Sequence, residues 1–357
     1  MRAQSDAVPE SDRLGDMPHP RETTALFGHG AAESLLLEGY RSGRLPHTWI
    51  LAGREGIGKA TLAWRFARFI LAHPDPSEPS RTGARDLFVP PDHLAARRIA
   101  SLSHPDVVLL RREWNDGRKR HFTEIRVDDV RRAAHLFHHA SAAEGYRVGI
   151  LDSADDLNRN ASNALLKLIE EPPPRSLFLL IAHRPGRIIP TIRSRCRMLT
   201  LQPLVAEEVA EAVKATGAGG EASPDAVRGA AVRAGGSVRA ALQLLDGEAM
   251  QFKERIAAML TRLPEIEWKE VHRLAETVAQ RDAANEYSAV MTSIMDWLDD
   301  TVRNRAGQGA RRLAPYAEVW EKLDAATREV EALNLDKRPL ILSLFADLAT
   351  ATRASRG

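Results

Sequence analysis

A five-stranded parallel α/β domain, a small helical domain and a longer all-helical domain make up the architecture that this sequence predicts. Three observations predict it. Short apolar runs alternate with segments of helical spacing as far as Gln202. The strand signals stop after Gln202-Pro203-Leu204, where three short helical segments begin. From Met250 to the end only helical periodicity remains. Short apolar strands separated by helices point to a parallel sheet covered on both faces.

The elements follow in order. Residues 1–22 are rich in Ser, Asp, Pro and Gly without periodicity, and are expected to form a disordered leader. Ala32, Leu35, Leu36, Leu37 and Tyr40 recur at helical spacing. Thr48 to Ala52 reads as a strand, followed by a Gly-rich turn and a helix from Lys59 to about Leu71. Pro74 to Pro91 reads as a loop, and further strands fall at Val107–Leu110, Val148–Leu151, Leu177–Ala182 and Met198–Leu201. Short helices are expected at Glu207–Ala215, Pro224–Ala234 and Ser237–Leu245, with Gly217 to Gly220 as a breaker. The expected division is therefore a leader at 1–22, the α/β domain at 23–202, a helical lid at 203–248 and a helical domain at 249–357.

Composition bounds the function. A chain of 357 residues exceeds one ordinary core. Hydrophobic residues at 44% and charged residues at 27% fit a globular protein. Fifty Lys and Arg against 48 Asp and Glu leave a formal charge of +2, so net charge does not make the chain a polyanion binder. No apolar run approaches the roughly 20 residues that span a bilayer. The polar stretch from Met1 to Pro20 is not expected to be a secretory signal. Cys196 is the one cysteine, which excludes an intrachain disulfide and a Cys-rich zinc site and fits a reducing cytoplasm.

The segment Gly53-Arg-Glu-Gly56-Ile-Gly58-Lys59-Ala60-Thr61 lies between a predicted strand and a predicted helix. There glycines let backbone N–H groups curl around an anion, the helix N-terminus adds positive dipole, and Lys59 reaches terminal phosphates. A chance Gly-rich turn is the bland alternative, and the strand–loop–helix context argues against it. The loop nevertheless lacks a part. The magnesium-binding hydroxyl belongs directly after the Lys, where this chain has Ala60; Thr61 is one helical position late, about 100° away. The strand ending in Asp152 places a magnesium-holding carboxylate, but the next position, where a general base is needed, is Ser153. A hydroxyl does not act as a base at neutral pH without a partner. Two defects in one site predict little or no hydrolysis. Nucleotide binding without turnover stays compatible with Gly53, Gly56, Gly58 and Lys59.

Further motifs carry a resemblance. Asp152-Ser-Ala-Asp155, Asn163-Ala-Leu-Leu-Lys167, Glu170-Glu171-Pro172 and Thr191-Ile-Arg-Ser194-Arg195-Cys196, in that order, resemble the clamp-loader branch of the AAA+ family. His19-Pro20, Leu26-Phe27-Gly28-His29 and Leu45-Pro46-His47-Thr48 resemble the lead-in of its bacterial members. The resemblance runs from about residue 19 through Leu245. It implies an AAA+ P-loop domain, a lid and a C-terminal collar that oligomerises. It also implies a place in a five-subunit ring that loads a sliding clamp on primed DNA within a DNA polymerase assembly. Within that family the defects at Ala60 and Ser153 select a non-motor subunit, with no ATPase of its own and no required cofactor.

The resemblance also implies roles for single residues. Arg195 matches the Arg that reaches the γ-phosphate of ATP held by the next subunit, a task suited to a planar, permanently charged guanidinium; the bland alternative is a surface ion-pair former. Gly235-Gly236-Ser237-Val238-Arg239 resembles the start of the lid helix, with Ser237 as its cap and Arg239 aimed at a nucleotide or left as a relic. His183 and Arg184 stand where hydrolysing relatives place Thr or Asn. Many relatives carry a four-cysteine zinc module, which this chain lacks. Its place is taken by Arg111-Arg112 and Arg118-Lys119-Arg120, read here as a solvated basic hairpin, and no zinc is expected. Cys196 reads as a packing residue rather than a nucleophile. Two rival functions stay open: an active AAA+ ATPase using Thr61 and Asp155, and a stand-alone DNA-binding protein using the arginines of 111–120.

Overall fold

The computed structural model describes residues 8–15, 17–75, 83–117, 120–138, 145–217, 222–245, 247–280, 283–305, 310–333 and 335–355. The chain divides into two compact units, Met1–Leu245 and Asp246–Gly357.

The first unit is built on strands β1 (Thr48–Ala52), β2 (Val107–Arg111), β5 (Arg147–Asp152), β6 (Ser176–Ala182) and β7 (Arg197–Thr200). They form one sheet in the order β2-β5-β6-β1-β7, and every neighbouring pair is parallel. Every residue of β1 and β6 is buried, which is why those strands are unbroken apolar runs rather than alternating ones. The two-residue period still sorts their side chains. Trp49 and Leu51 pack with helices α1 (Gly30–Arg41), α2 (Lys59–Ala72) and α3 (Leu94–Ala100) on one face. Ile50 and Ala52 pack with α4 (Val127–His138) and α5 (Arg159–Glu170) on the other. A fully buried Leu or Ile contributes about 1.5–3 kcal/mol by leaving water, so these two layers hold the sheet rigid and its C-terminal edge in place. Strands β3 (Trp114–Asn115) and β4 (Arg120–His121) form a separate antiparallel ribbon. Arg118 and Lys119 lie outside the described residues.

Of the disordered leader expected at 1–22, residues 1–7 and 16 lie outside the described residues, and for the stretch from Glu10 to Glu22 the expectation is corrected. From Glu10 onward described residues of this stretch pair with and pack against the domain, and His19 and Arg21 are buried. Their polar character is met by partners rather than by water. Arg68 of α2 donates to the carbonyls of Arg21 (2.9 Å) and Thr23 (3.1 Å), and Arg21 donates to the Ala100 carbonyl at 3.0 Å. His19 stacks edge-on against Trp64.

After β7 come three helices, α7 (Ala206–Ala215), α8 (Pro224–Arg233) and α9 (Val238–Leu245). They share a small core that includes Leu204, Val209, Val213, Val227 and Ala241. Ser223 starts α8 by accepting the Ala226 N–H at 3.2 Å, with Pro224 in the first turn where its missing N–H costs nothing.

The second unit is helical among its described residues: α10 (Gly247–Thr261), α11 (Trp268–Val278), α12 (Ala284–Asn304), α13 (Ala310–Leu333) and α14 (Lys337–Ala354). Asp336 caps α14 by accepting the Arg338 N–H at 3.0 Å. Leu340, Leu344, Phe345 and Leu348 of α14 lie inside this unit's own core, so that stripe is spent internally. Trp268, Trp320 and Leu335 are exposed. Among the described residues no helix is long and apolar enough to cross a membrane.

Candidate functional site: a phosphate loop closed on itself

The phosphate loop runs from the end of β1 into α2. Gly53, Gly56 and Gly58 all have positive φ, so the turn is of the type that glycine allows. Gly56 is the tightest: at φ +77°, a Cβ placed there would collide with the Ser237 hydroxyl and the Arg239 Cβ. The lid therefore sits directly on the loop. The Val238 N–H donates to the Gly56 carbonyl at 2.9 Å, and Arg239 pairs with Glu55 at 3.3 Å. Ser237 caps α9 as expected, accepting the Ala240 N–H at 3.2 Å. From the other side the His29 ring donates to the Ile57 carbonyl at 2.6 Å.

Lys59 is 3% exposed and is turned inward. Its ammonium donates to the Gly53 carbonyl at 2.7 Å and to the Arg54 carbonyl, the loop's own backbone. Burial lowers the ammonium's pKa to about 8, against the pull of Asp152, Glu55 and Asp155. Burial, with Asp12 adding a like charge, pushes the Asp152 carboxyl up to about 7, while Lys59 opposes the rise. Burial and Lys59 bring His183 down to about 4, so that ring is neutral.

The groups that would serve magnesium and water are arranged otherwise. Ala60 packs its methyl against the apolar cluster under α2, and Thr61 follows it in the helix. Ser153 is buried. Asp155, the rival reading's substitute base, accepts the backbone N–H groups of His183 (2.6 Å) and Arg184 (2.8 Å). Its two oxygens thus fasten the turn after β6. Among the described residues no group of three or more His, Cys, Asp or Glu is placed to hold a metal ion.

Arg195 lies apart from this loop in the chain, two residues beyond the short helix α6 (Pro190–Arg193). It is exposed, donates to the Thr191 carbonyl at 3.1 Å and pairs with Glu170, at the end of α5, at 2.8 Å. The signature turn and the Glu170-Glu171-Pro172 motif are thereby brought together. Cys196 packs against the core, and burial pushes its thiol up to about 12. Two arginines of the ribbon region are paired within the chain: Arg111 with Glu10 (2.9 Å) and Asp12, and Arg112 with Asp156 (3.1 Å). The roles of Glu55 and Asp155 had no sequence signal, because they depend on which backbone and side-chain groups the fold brings within reach.

The strand order, the loop and the docked lid define an AAA+ module. Residues 28–205 match the family described as "DNA polymerase III, delta subunit". The chain is 37% identical over 150 residues to the DNA polymerase III subunit delta' of Pseudomonas aeruginosa, covering 42% of this chain and 41% of that protein. It is 29% identical to the Bacillus subtilis delta' subunit over 48% of this chain and 46% of that one. With the Escherichia coli delta' subunit it shares 27% identity over 74% of this chain and 73% of that one. The chain thus spans less than half the length of the first two of these relatives. Among solved structures it is similar to the Thermotoga maritima RuvB Holliday junction branch migration motor, with TM-score 0.41, 18% identity and 82% of each chain covered. It is also similar to a gamma subunit-related protein of Thermotoga maritima, with TM-score 0.37, 17% identity, and coverage of 89% of this chain and 100% of that one. Through its α/β domain, residues 28–205, this chain matches that DNA polymerase III subunit family, and the relatives named here are delta' subunits.

Proposed function

We propose that this chain is the non-hydrolysing delta-prime subunit of a cytoplasmic DNA polymerase III clamp loader. It assembles with other clamp-loader subunits in a five-subunit ring, to which residues 249–357 contribute a collar, and helps place a sliding clamp on primed DNA. It requires no cofactor or zinc of its own, and it lends Arg195 to the ATP held by a neighbour. One contrast carries this reading: the signature turn presents an exposed Arg195, while the chain's own loop is occupied by Lys59 and by the docked lid.

The donor set supports the same conclusion. Magnesium needs a hydroxyl where Ala60 stands, and water activation needs a carboxylate where Ser153 stands. Thr61 is one helical position out of place, and Asp155 is committed to two amides. Those residues do not fit a magnesium nucleotide poised for hydrolysis. The stand-alone DNA-binding reading loses its best arginines, since Arg111 and Arg112 are paired with the chain's own carboxylates.

The test is reconstitution with partner subunits, using either this chain or its Arg195→Ala variant. An exposed Arg contributes little to stability, so folding and assembly should be unchanged. Arginine fingers contribute about 10³–10⁵ in rate in GTPases. Silencing one of several sites should lower total ATP turnover in part and impair clamp loading. Equal turnover and loading, with assembly verified in both rings, would make Arg195 an ordinary surface arginine.

A further inference from the structure

The segment that precedes the α/β domain has a composition of alternating charge: Glu10, Asp12, Arg13, His19, Arg21 and Glu22 within thirteen residues. The fold closes these charges on one another. Glu10 accepts from Arg13 (2.7 Å), Arg21 (2.9 Å) and Arg111 (2.9 Å). Asp12, 4% exposed, pairs with His19 at 3.0 Å and with Arg111. Arg13 also holds Glu22, and it donates to the Met17 carbonyl at 2.9 Å. Although burial opposes it, the guanidinium groups of Arg21, Arg13 and Arg111 bring the Glu10 carboxyl down to about 2. Glu10 and Asp12 therefore remain charged under ordinary conditions.

The segment has two attachments. Arg111 ends β2 and pairs in register with Asp152 of β5, so the carboxylates of Glu10 and Asp12 are tied to the C-terminal edge of the sheet. Leu14 and Met17 pack against the apolar core of the lid helices α7, α8 and α9. Between the two attachments lie only a few residues of chain. A lid in an AAA+ module otherwise meets the sheet domain through the residues after β7 and through whatever fills the loop between them. Here a further connection, made of ion pairs and apolar packing, is present.

We propose that the described residues between Glu10 and Glu22 form a strap, anchored at Arg111, that fastens the lid to the edge of the sheet and keeps Val238 and Arg239 seated on the phosphate loop. The strap does within one chain what a bound nucleotide does between lid and loop: it bridges them. This inference stands on packing and ion pairing alone and does not depend on the clamp-loader reading. Removing either attachment frees the lid while leaving the two-faced sheet intact.

The test is hydrogen–deuterium exchange on the full-length chain. One variant, Glu10→Gln with Asp12→Asn, weakens the Arg111 attachment. A second, Leu14→Ala with Met17→Ala, weakens the lid attachment and leaves the ion pairs in place. In either variant, lid peptides from 204–217 and 222–245, including the Val238 amide, should exchange about tenfold faster, while β5 and β6 stay as in the parent. A lid-to-sheet ratio below about threefold in both variants overturns the proposal, whether nothing changes or the whole unit speeds up together. Should the charge variant not fold, the apolar variant decides on the same ratio.

Discussion

Asp155 separates a structural carboxylate from a catalytic one, and its replacement gives opposite results in the two cases. Its carboxylate accepts two backbone N–H groups, from His183 at 2.6 Å and from Arg184 at 2.8 Å. Hydrogen bonds to a charged group contribute roughly 1.5–3 kcal/mol each. The Arg184 bond is exposed, so water replaces much of it. One full bond and one weak bond together amount to about 2–3 kcal/mol. At 1.4 kcal/mol per factor of ten, that corresponds to roughly 30- to 150-fold faster local opening. Asp155→Ala should therefore speed exchange of the His183 and Arg184 amides by about that factor, whereas Asp155→Asn, which keeps one acceptor oxygen, should lose about half the free energy. ATP turnover of the isolated chain should sit at background before and after either change. Parent turnover near the ordinary order of 1 s⁻¹, abolished by Asp155→Ala with those amides unchanged, would refute the reasoning and make the carboxylate catalytic.

Gly56→Ala should destabilise the first unit by about 2 kcal/mol or more, read as a lower unfolding midpoint, because φ is +77° and the new methyl meets Ser237 and Arg239; an unchanged midpoint would mean the lid does not rest on the loop. Cys196 should alkylate at pH 8 about a hundredfold or more slower than a free cysteine, since burial holds its thiol near 12. The same rate folded and unfolded would contradict that burial. Ending the chain at Leu245 should leave a folded α/β fragment that no longer co-elutes with partner subunits, and undiminished co-elution would remove the collar role assigned to 249–357.

The sheet was legible because its strands are continuous apolar runs. Thr48–Ala52 and Leu177–Ala182 need no partner to declare themselves, since burial on both faces removes every polar alternative. The loop was legible because glycines at 53, 56 and 58 are demanded by backbone geometry, which is local. The leader was not. Its residues have the composition of a solvated tail, and nothing local indicates that Glu10 and Asp12 will meet Arg111, about a hundred residues away. The stripe Leu340, Leu344, Phe345 and Leu348 illustrates the converse. Apolar spacing marks a face to be buried, and only the fold shows that this helix spends it on its own unit.

The same distinction explains how, on the proposed function, a loop can have its glycines and its Lys without the residues that make magnesium and water useful. Those residues act through side chains at single points, and their loss leaves the backbone unaltered. The glycines and Lys59 act on the backbone itself. Gly56 admits the lid, its carbonyl receives the Val238 N–H, and Lys59 satisfies the Gly53 and Arg54 carbonyls that the tight turn leaves facing inward. A buried carbonyl without a partner costs about 1–3 kcal/mol. Replacing Lys59 by an apolar residue would take a donor from two part-buried carbonyls, where water replaces some of it, and the loss is further offset by removal of a cation whose lowered pKa already records the strain of burial. On this account the phosphate loop persists as the joint on which the lid is seated, and its geometry is under constraint even where its chemistry is not.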